Sequence, residues 1–168
     1  HSSAASDVYK RQIGGVGLLK DYENVMSMNF KSKDNLVLAI GKTEGSLDQS
    51  VFAKVILDEK KGPPPEINLF NEKNNGETIL KIIGEKLALS VHDVSLGGIM
   101  IAALKMCING NKGIKFYKFK GLINIYQYFF SEDQGRYIIE VNKKNLKKVE
   151  SILKKNSVHF DLLGETTA

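Results

Sequence analysis

The sequence is poor in residue types that mark several common classes of protein. It has no tryptophan, a single cysteine, Cys107, and three prolines that stand in one run. A lone cysteine cannot form an internal disulfide, which excludes a small disulfide-stabilised protein and favours a reducing compartment. The longest apolar run, residues 96–104, contains two glycines and is far shorter than the ~20 residues of a membrane span. We therefore predict a cytoplasmic protein without membrane contacts.

Arginine is also scarce, because Arg11 and Arg136 are the only two in the sequence and lysine supplies nearly all of the net charge of +5. Direct readout of bases relies on arginine, and single-strand binding relies on exposed aromatic residues beside basic groups. A solvated, lysine-rich surface explains the charge better, and we predict no nucleic-acid partner. Tyr117, Tyr126 and Tyr128 keep single-strand binding open as a weaker alternative.

What the sequence does contain is typical of one globular domain. Its 168 residues are 42% hydrophobic and 26% charged. Residues 1–12 have no start methionine and read as a non-native leader, and the glycine-rich string IGGVG opens an entry segment between domains, 13–35. The domain itself is predicted to span 36–168.

Hydrophobic periodicity predicts strands and helices in mixed order, which is typical of an α+β fold. Three helix starts are assigned from residues that can accept a hydrogen bond from the first turn. They are a Ser46/Gln49 capping box, Asn71, and Ser95. The predicted strands are 36–40, 87–91, 137–141 and 158–162, and the predicted helices are 47–57, one ending near Gly84, 99–107 and 142–155.

The segment HDVSLGG, residues 92–98, is the first candidate site. Ser95, Gly97 and Gly98 precede a buried helix, whose free amides attract phosphate. The alternative is that the two glycines serve close packing only. Adjacent strand residues point to opposite faces, so His92 and Asp93 are not expected to act as a pair, and Asp93 is given a role in the turn or beside a ligand.

Glu132 and Arg136 form a second candidate site, four residues apart before the strand 137–141. Arginine presents a planar fork that matches phosphate, so this pair suits a phosphoribosyl ligand. A structural salt bridge between the two is equally plausible. Neither candidate site offers the ligand set of a metal centre, and no residue is assigned a catalytic role.

Five segments in this order resemble one family. They are IGGVGLL at 13–19, the G-x-T-x-G-x-L-x-Q-S string at 41–50, GPP at 62–64, HDVSLGG at 92–98 and FSEDQGRY at 130–137. Together they are similar to the C-terminal domain of the phosphoribosylformylglycinamidine synthases, within the aminoimidazole ribonucleotide synthetase-like superfamily. The chain departs from the family at Leu96, where an acidic residue is usual.

The resemblance implies a fold and a function. The fold is α+β, with a mixed sheet layered with helices and partly ferredoxin-like. The full-length enzyme of the family is an ATP-dependent carbon–nitrogen ligase of purine biosynthesis, which converts formylglycinamide ribonucleotide to its amidine with ammonia from glutamine. ATP and Mg²⁺ are expected to bind mainly upstream domains, and the fragment alone is predicted to be inactive.

The resemblance also implies partners and leaves alternatives. The expected partners are the upstream domains of the same chain, a glutaminase subunit, a small accessory subunit and the ribonucleotide. One alternative is a stand-alone ligand-binding or regulatory module with the same fold. The other is the C-terminal domain of a related ATP-dependent synthetase.

Overall fold

A computed structural model describes residues 14, 16–19, 22, 25–59 and 61–168. The predicted leader, 1–12, lies outside these residues. Five strands form one sheet in the order β2-β4-β1-β5-β3, and each of the four neighbouring pairs is antiparallel. The strands are β1 (Leu36–Ile40), β2 (Ala88–Asp93), β3 (Gly113–Phe116), β4 (Tyr137–Val141) and β5 (Phe160–Thr167).

Five α-helices are present in the described part of the chain, and two of them connect strands in a repeated pattern. They are α1 (Val51–Ile56), α2 (Leu69–Gly84), α3 (Gly98–Gly110), α4 (Ile125–Phe130) and α5 (Leu146–Lys155), the last preceded by a 3₁₀ turn (Lys143–Asn145). The units β1-α2-β2 and β4-α5-β5 interleave in the sheet, because β4 lies between β1 and β2. This is the ferredoxin-like double βαβ arrangement. The segment α3-β3-α4 is inserted between the two units, and β3 extends the sheet beyond β5.

The sheet is covered on both faces, which explains why β1 is apolar and buried at every position. Successive strand residues point to opposite faces. Leu36, Leu38 and Ile40 pack in a cluster with residues of α2 and α5. Val37 and Ala39 pack in a second cluster with residues of α3 and α4. The result is a three-layer domain whose two cores meet at β1.

One carboxylate is wholly buried in this core. Glu140 of β4 has no exposed surface and accepts hydrogen bonds from Asn35 Nδ2 at 2.7 Å and Ser90 Oγ at 3.0 Å. It also accepts from the backbone amides of Lys31 at 2.8 Å and Ser32 at 3.3 Å. A buried charge is tolerated when hydrogen bonds replace its hydration. Glu140 therefore ties the segment before β1 to the centre of the sheet.

The α+β class and the ferredoxin-like element are confirmed, but the sheet is antiparallel and not mixed. The reason lies in the connections. The two strands of each βαβ unit are parallel but not adjacent, because a strand of the other unit lies between them, so every adjacent pair is antiparallel. The strands 36–40 and 137–141 have the predicted bounds.

Each of the three predicted helix starts is wrong by two to four residues. Gln49 has φ +60°, which a helix does not allow, and Ser50 caps α1 by accepting from the Ala53 amide at 3.0 Å. Asn68 caps α2 and accepts from the amide of Asn71 itself. The cap of α3 is Gly97, in a left-handed conformation and without a side-chain bond, so Ser95 is not the cap. A turn precedes the first helical residue of α1 and of α3, whereas an extended segment, 63–68, precedes α2.

No helix in the described part of the chain combines the length and the apolar composition that a membrane crossing requires.

Candidate functional site

Four of the six predicted site residues line one cavity of about 260 Å³. They are Asp93, Ser95, Glu132 and Arg136. The cavity lies where β2 ends, where β4 begins and where α3 starts, because Asp93 pairs with Tyr137 across the two strands. Glu72 of α2, Gln134 and Tyr137 complete its polar lining. The topology thus brings together two motifs that are about 40 residues apart in the sequence.

Asp133 holds the loop 132–136, whose other residues line the cavity. It is 5% exposed, and its carboxylate accepts hydrogen bonds from the backbone amides of Glu44, Gly45 and Ser46 at 3.0–3.1 Å. The hydroxyl of Ser131 donates to the same group at 2.9 Å. Three amides converging on one carboxylate form a strong charge-assisted cluster. The G-x-T-x-G string and the FSEDQGRY segment are therefore hydrogen-bonded to each other in the fold.

Arg136 is buried, with 2% exposure, and its guanidinium is directed into the protein. It donates to the Ser131 carbonyl at 2.7 Å, to the Asp133 carbonyl at 3.1 Å and to Thr43 Oγ1 at 3.0 Å. Its nearest carboxylate is Asp133, at 3.8 Å, and not Glu132. Burial lowers the pKa of Arg136, and the neighbouring Asp133 opposes that effect. The geometry gives Arg136 a role in shaping the loop.

Glu132 joins the starts of two helices. Its Oε1 atom accepts from the amide of Val51 at 2.7 Å, at the first residue of α1, and from the amide of Gly97 at 2.8 Å, before α3. A carboxylate at helix N-termini is favoured by the partial positive charge there. At the Gly97 amide, the carboxylate of Glu132 therefore takes the place that the phosphate hypothesis gives to a ligand.

The two glycines of HDVSLGG both have left-handed backbones, with φ +82° at Gly97 and +69° at Gly98. A side chain at Gly98 would meet the backbone oxygens of Ser131 and Phe129 at 2.5 and 2.7 Å, and one at Gly97 would meet the side chain of Ile101. Close packing therefore requires Gly98 directly. Ser95 supports the same turn, because its carbonyl accepts from the Gly98 amide at 3.0 Å.

The electrostatics of the cavity are acidic. Glu72, Asp93 and Glu132 line it, whereas the guanidinium of Arg136, which also lines it, is used inside the protein. Burial raises the pKa of Tyr137, and Glu72 and Asp93 raise it further. His92 Nδ1 lies 3.1 Å from Asp93 Oδ1, contrary to expectation, and Asp93 is the exposed last residue of β2. Such a surface suits ligand groups that donate hydrogen bonds.

No group of three histidine, cysteine, aspartate or glutamate side chains is placed to hold a metal ion within the residues the structure covers. The carboxylate of Glu132 is also satisfied by two amides. The described residues of the cavity thus offer no preformed three-ligand cluster for a metal ion.

A second polar cavity, of about 560 Å³, shares Glu72 and Gln134 with the first. Three asparagines of the α2 region, Asn68, Asn71 and Asn75, lie along it. Asn75 is buried and donates to the Gly135 carbonyl at 2.9 Å. The two cavities are therefore neighbours that share two polar side chains.

Sequence reasoning missed Asp133, Glu72 and Gln134. Asp133 stands directly between predicted site residues, and the signal that could have found it is the G-x-T-x-G string, whose free amides need an acceptor. Glu72 gives no such signal, since it reads as an ordinary first-turn residue of α2.

A protein-family model for the C-terminal domain of AIR synthase related proteins matches residues 33–168. The chain belongs to this family. The predicted superfamily is thereby confirmed, and the matched region includes both candidate motifs and every strand of the sheet.

Relatives within the family are named phosphoribosylformylglycinamidine synthase subunit PurL. The protein of Pelagibacter ubique is 64% identical over 152 residues, which are 90% of this chain and 21% of that protein. The protein of Rhodopseudomonas palustris strain HaA2 is 36% identical over 154 residues, 92% of this chain and again 21% of the relative. The chain thus spans about a fifth of the length of these relatives.

Solved structures share the fold at low sequence identity. Thermotoga maritima PurL complexed with FGAR matches with a TM-score of 0.74 and 18% identity, over 87% of this chain and 26% of that one. The same protein complexed with ATP gives 0.67 and 16%, over 87% and 24%. Escherichia coli HypE, a hydrogenase maturation protein, gives 0.59 and 10%, over 85% and 46%. These matches agree with the α+β architecture derived from the strand order.

Proposed function

We propose that the chain is the C-terminal domain of a phosphoribosylformylglycinamidine synthase. The full-length protein would be an ATP-dependent carbon–nitrogen ligase that converts formylglycinamide ribonucleotide to its amidine, in the cytoplasm. One observation carries the proposal, the 64% identity over 152 residues to a protein of that name. The complexes of Thermotoga maritima PurL with ATP and with FGAR support the same substrates.

We propose two kinds of role for the six site residues. Asp93 and Ser95 are exposed at the mouth of the cavity and would contact the bound ribonucleotide. Carboxylates accept hydrogen bonds from hydroxyls, so an acidic cavity is better suited to ribose than to phosphate. Glu132, Arg136, Gly97 and Gly98 would position that surface, because their contacts are with the protein itself.

The other groups that the reaction requires would lie outside the described residues. Because the described residues form no three-ligand metal cluster, we place the metal and the phosphate-transfer groups in the other domains of the full-length protein. Ammonia would come from a glutaminase subunit, with a small accessory subunit completing the complex. Because these groups would lie outside the 168-residue chain, we predict that the chain is inactive alone.

The test is an assay of ATP-dependent amidine formation with ammonium as the nitrogen donor. Full-length protein is expected to be active, and the 168-residue chain is expected to be inactive. Full-length protein without this activity would favour a regulatory module or another synthetase of the family. Activity of the short chain alone would show that the domain assignment is wrong.

The roles of the site residues need their own comparison in the full-length protein. Asp93→Asn is expected to raise the KM for the ribonucleotide by about 10-fold, since one strong hydrogen bond to a charged group is lost. Asp48→Asn, an exposed acid outside both cavities, is the matched control. An unchanged KM in Asp93→Asn would remove this residue from the ligand surface.

A further inference from the structure

Helix α1 has a composition that its exposure does not fit. Five of its six residues are apolar, in the sequence VFAKVI, yet Ala53 is the only one that is buried. Val55 is 71% exposed and Ile56 is 66% exposed. A helix that is apolar on all sides is normally buried in the native assembly. This helix therefore lacks most of the contacts that its sequence is suited to make.

Helix α4 extends the same apolar surface. Ile125 is 51% exposed and Tyr126 is 57% exposed. Phe52 of α1 stacks between Tyr126 and Phe130, with ring centroids 6.0 and 5.0 Å apart. The two helices enclose a mainly apolar groove of about 640 Å³, whose lining residues are Leu47, Phe52, Ile56, Leu57, Asn124, Tyr126, Gln127 and Phe130. We call this surface the α1/α4 groove.

We propose that the α1/α4 groove is the docking surface for another domain of the same polypeptide. The inference rests on the proposed function, in which this chain is one domain of a longer synthase. Relatives up to 64% identical are about five times as long as the matched region, so most of the polypeptide lies outside this fold. Contiguous apolar surface of this kind marks an interaction site.

The groove is also connected to the candidate site, which favours an occupant from the same polypeptide over a separate protein. Glu132 accepts from the Val51 amide at the start of α1 and from the Gly97 amide at the start of α3. A domain that packs on α1 would therefore fix the carboxylate beside the cavity. Docking and the shape of the ligand surface would be coupled through one side chain.

The first experiment compares amide hydrogen exchange in full-length protein and in the 168-residue chain. Amides of 51–57 and 125–130 are expected to exchange at least about 10-fold more slowly in the full-length protein. Ile56→Lys is expected to abolish that protection. Ile108→Lys is the matched control, an isoleucine of α3 that is 78% exposed and outside the groove, and it should leave the protection intact.

Both substitutions are at exposed positions, so each should leave the denaturation midpoint of the 168-residue chain unchanged. Equal exchange in the two forms of the protein, or equal effects of the two variants, would overturn the proposal. Full-length protein that is active but unprotected would refute the docking surface alone. Protected protein without synthase activity would refute the proposed function alone.

A cross-linking experiment identifies the occupant. Full-length protein with Ile56→p-benzoylphenylalanine is irradiated and digested, and the linked peptides are sequenced. A link within one polypeptide to a segment beyond the 168 residues supports the proposal. A link between two copies, seen as a covalent dimer, would assign the groove to self-association and overturn it, as would a link to an unrelated protein.

Discussion

Gly98→Ala is the perturbation that best separates the two interpretations of HDVSLGG. Gly98 has φ +69°, and the Cβ of an alanine would lie 2.5 Å from the Ser131 oxygen and 2.7 Å from the Phe129 oxygen. Both are backbone atoms that a rotamer change cannot move aside. The packing interpretation therefore predicts a large loss of stability whether or not a ligand binds here.

The magnitude follows from two costs and one gain. The left-handed conformation costs a residue with a Cβ about 1–2 kcal/mol. Overpacking against fixed neighbours costs roughly 1–3 kcal/mol more. Replacing glycine lowers the entropy of the unfolded chain, which returns about 0.4–1 kcal/mol. We expect Gly98→Ala to lower the free energy of unfolding by about 2–4 kcal/mol.

The assay is equilibrium denaturation of the 168-residue chain by guanidinium, followed by far-ultraviolet circular dichroism. Gly84→Ala is the matched control, because Gly84 ends α2, is exposed and has no neighbouring group outside its own helix within 4 Å of the position that an alanine Cβ would take. It should be neutral or stabilise by up to about 1 kcal/mol. If Gly98→Ala lies within about 1 kcal/mol of wild type, the close approach of α3 to the loop before β4 is wrong.

Three further predictions concern stability. Val149→Asp should lower the free energy of unfolding by several kcal/mol in the same denaturation assay, because Val149 is fully buried. Lys148→Asp, at an exposed position, should lower it by less than about 1 kcal/mol. Equal losses would show that the assigned buried face of α5 is wrong. Asp133→Asn should cost about 2–4 kcal/mol, since an amide cannot accept from all of its donors, and a loss below about 1 kcal/mol would contradict the cluster. Asp161 raises the pKa of His159 above 6.5, so this pair stabilises the fold at low pH and its contribution, about 0.5 kcal/mol or less for a half-exposed pair, is lost as pH rises through the folded pKa. His159→Gln should remove that slope above pH 6.5, and an unchanged slope would exclude the pair as its source.

The parts of the fold that the sequence predicts best are those fixed by hydrophobic patterning. The strands 36–40 and 137–141 and the apolar face of α5 fall where predicted, since burial on both sheet faces demands continuous apolar runs. Helix starts are predicted less well, because several polar residues in a row can each serve as a cap. Ser46 and Ser50 are both suitable in sequence, and the left-handed Gln49 between them decides the outcome.

The sequence identifies several residues of the cavity but not their connections. HDVSLGG and FSEDQGRY, which the sequence offers as two separate candidate sites, meet at one cavity in the fold. The pairing of Glu132 with Arg136 does not follow, because sequence spacing cannot show which backbone amides lack an acceptor. Glu132 is drawn to the amides of Val51 and Gly97, and Arg136 to the carbonyls of its own loop. These partners exist only once α1 and α3 are in place.

Three carboxylates make similar contacts that connect the fold to the site. Glu140, Asp133 and Glu132 each accept from backbone amides of a segment that has no strand or helix to satisfy it. Glu140 holds the segment before β1, Asp133 holds the turn after β1, and Glu132 holds the starts of α1 and α3. Removing such an acceptor leaves backbone amides unpaired, which costs most where the amide is buried. The irregular segments around the cavity are therefore fixed by carboxylates. Of the acids that line the cavity, this leaves Glu72 and the exposed Asp93 for a ligand.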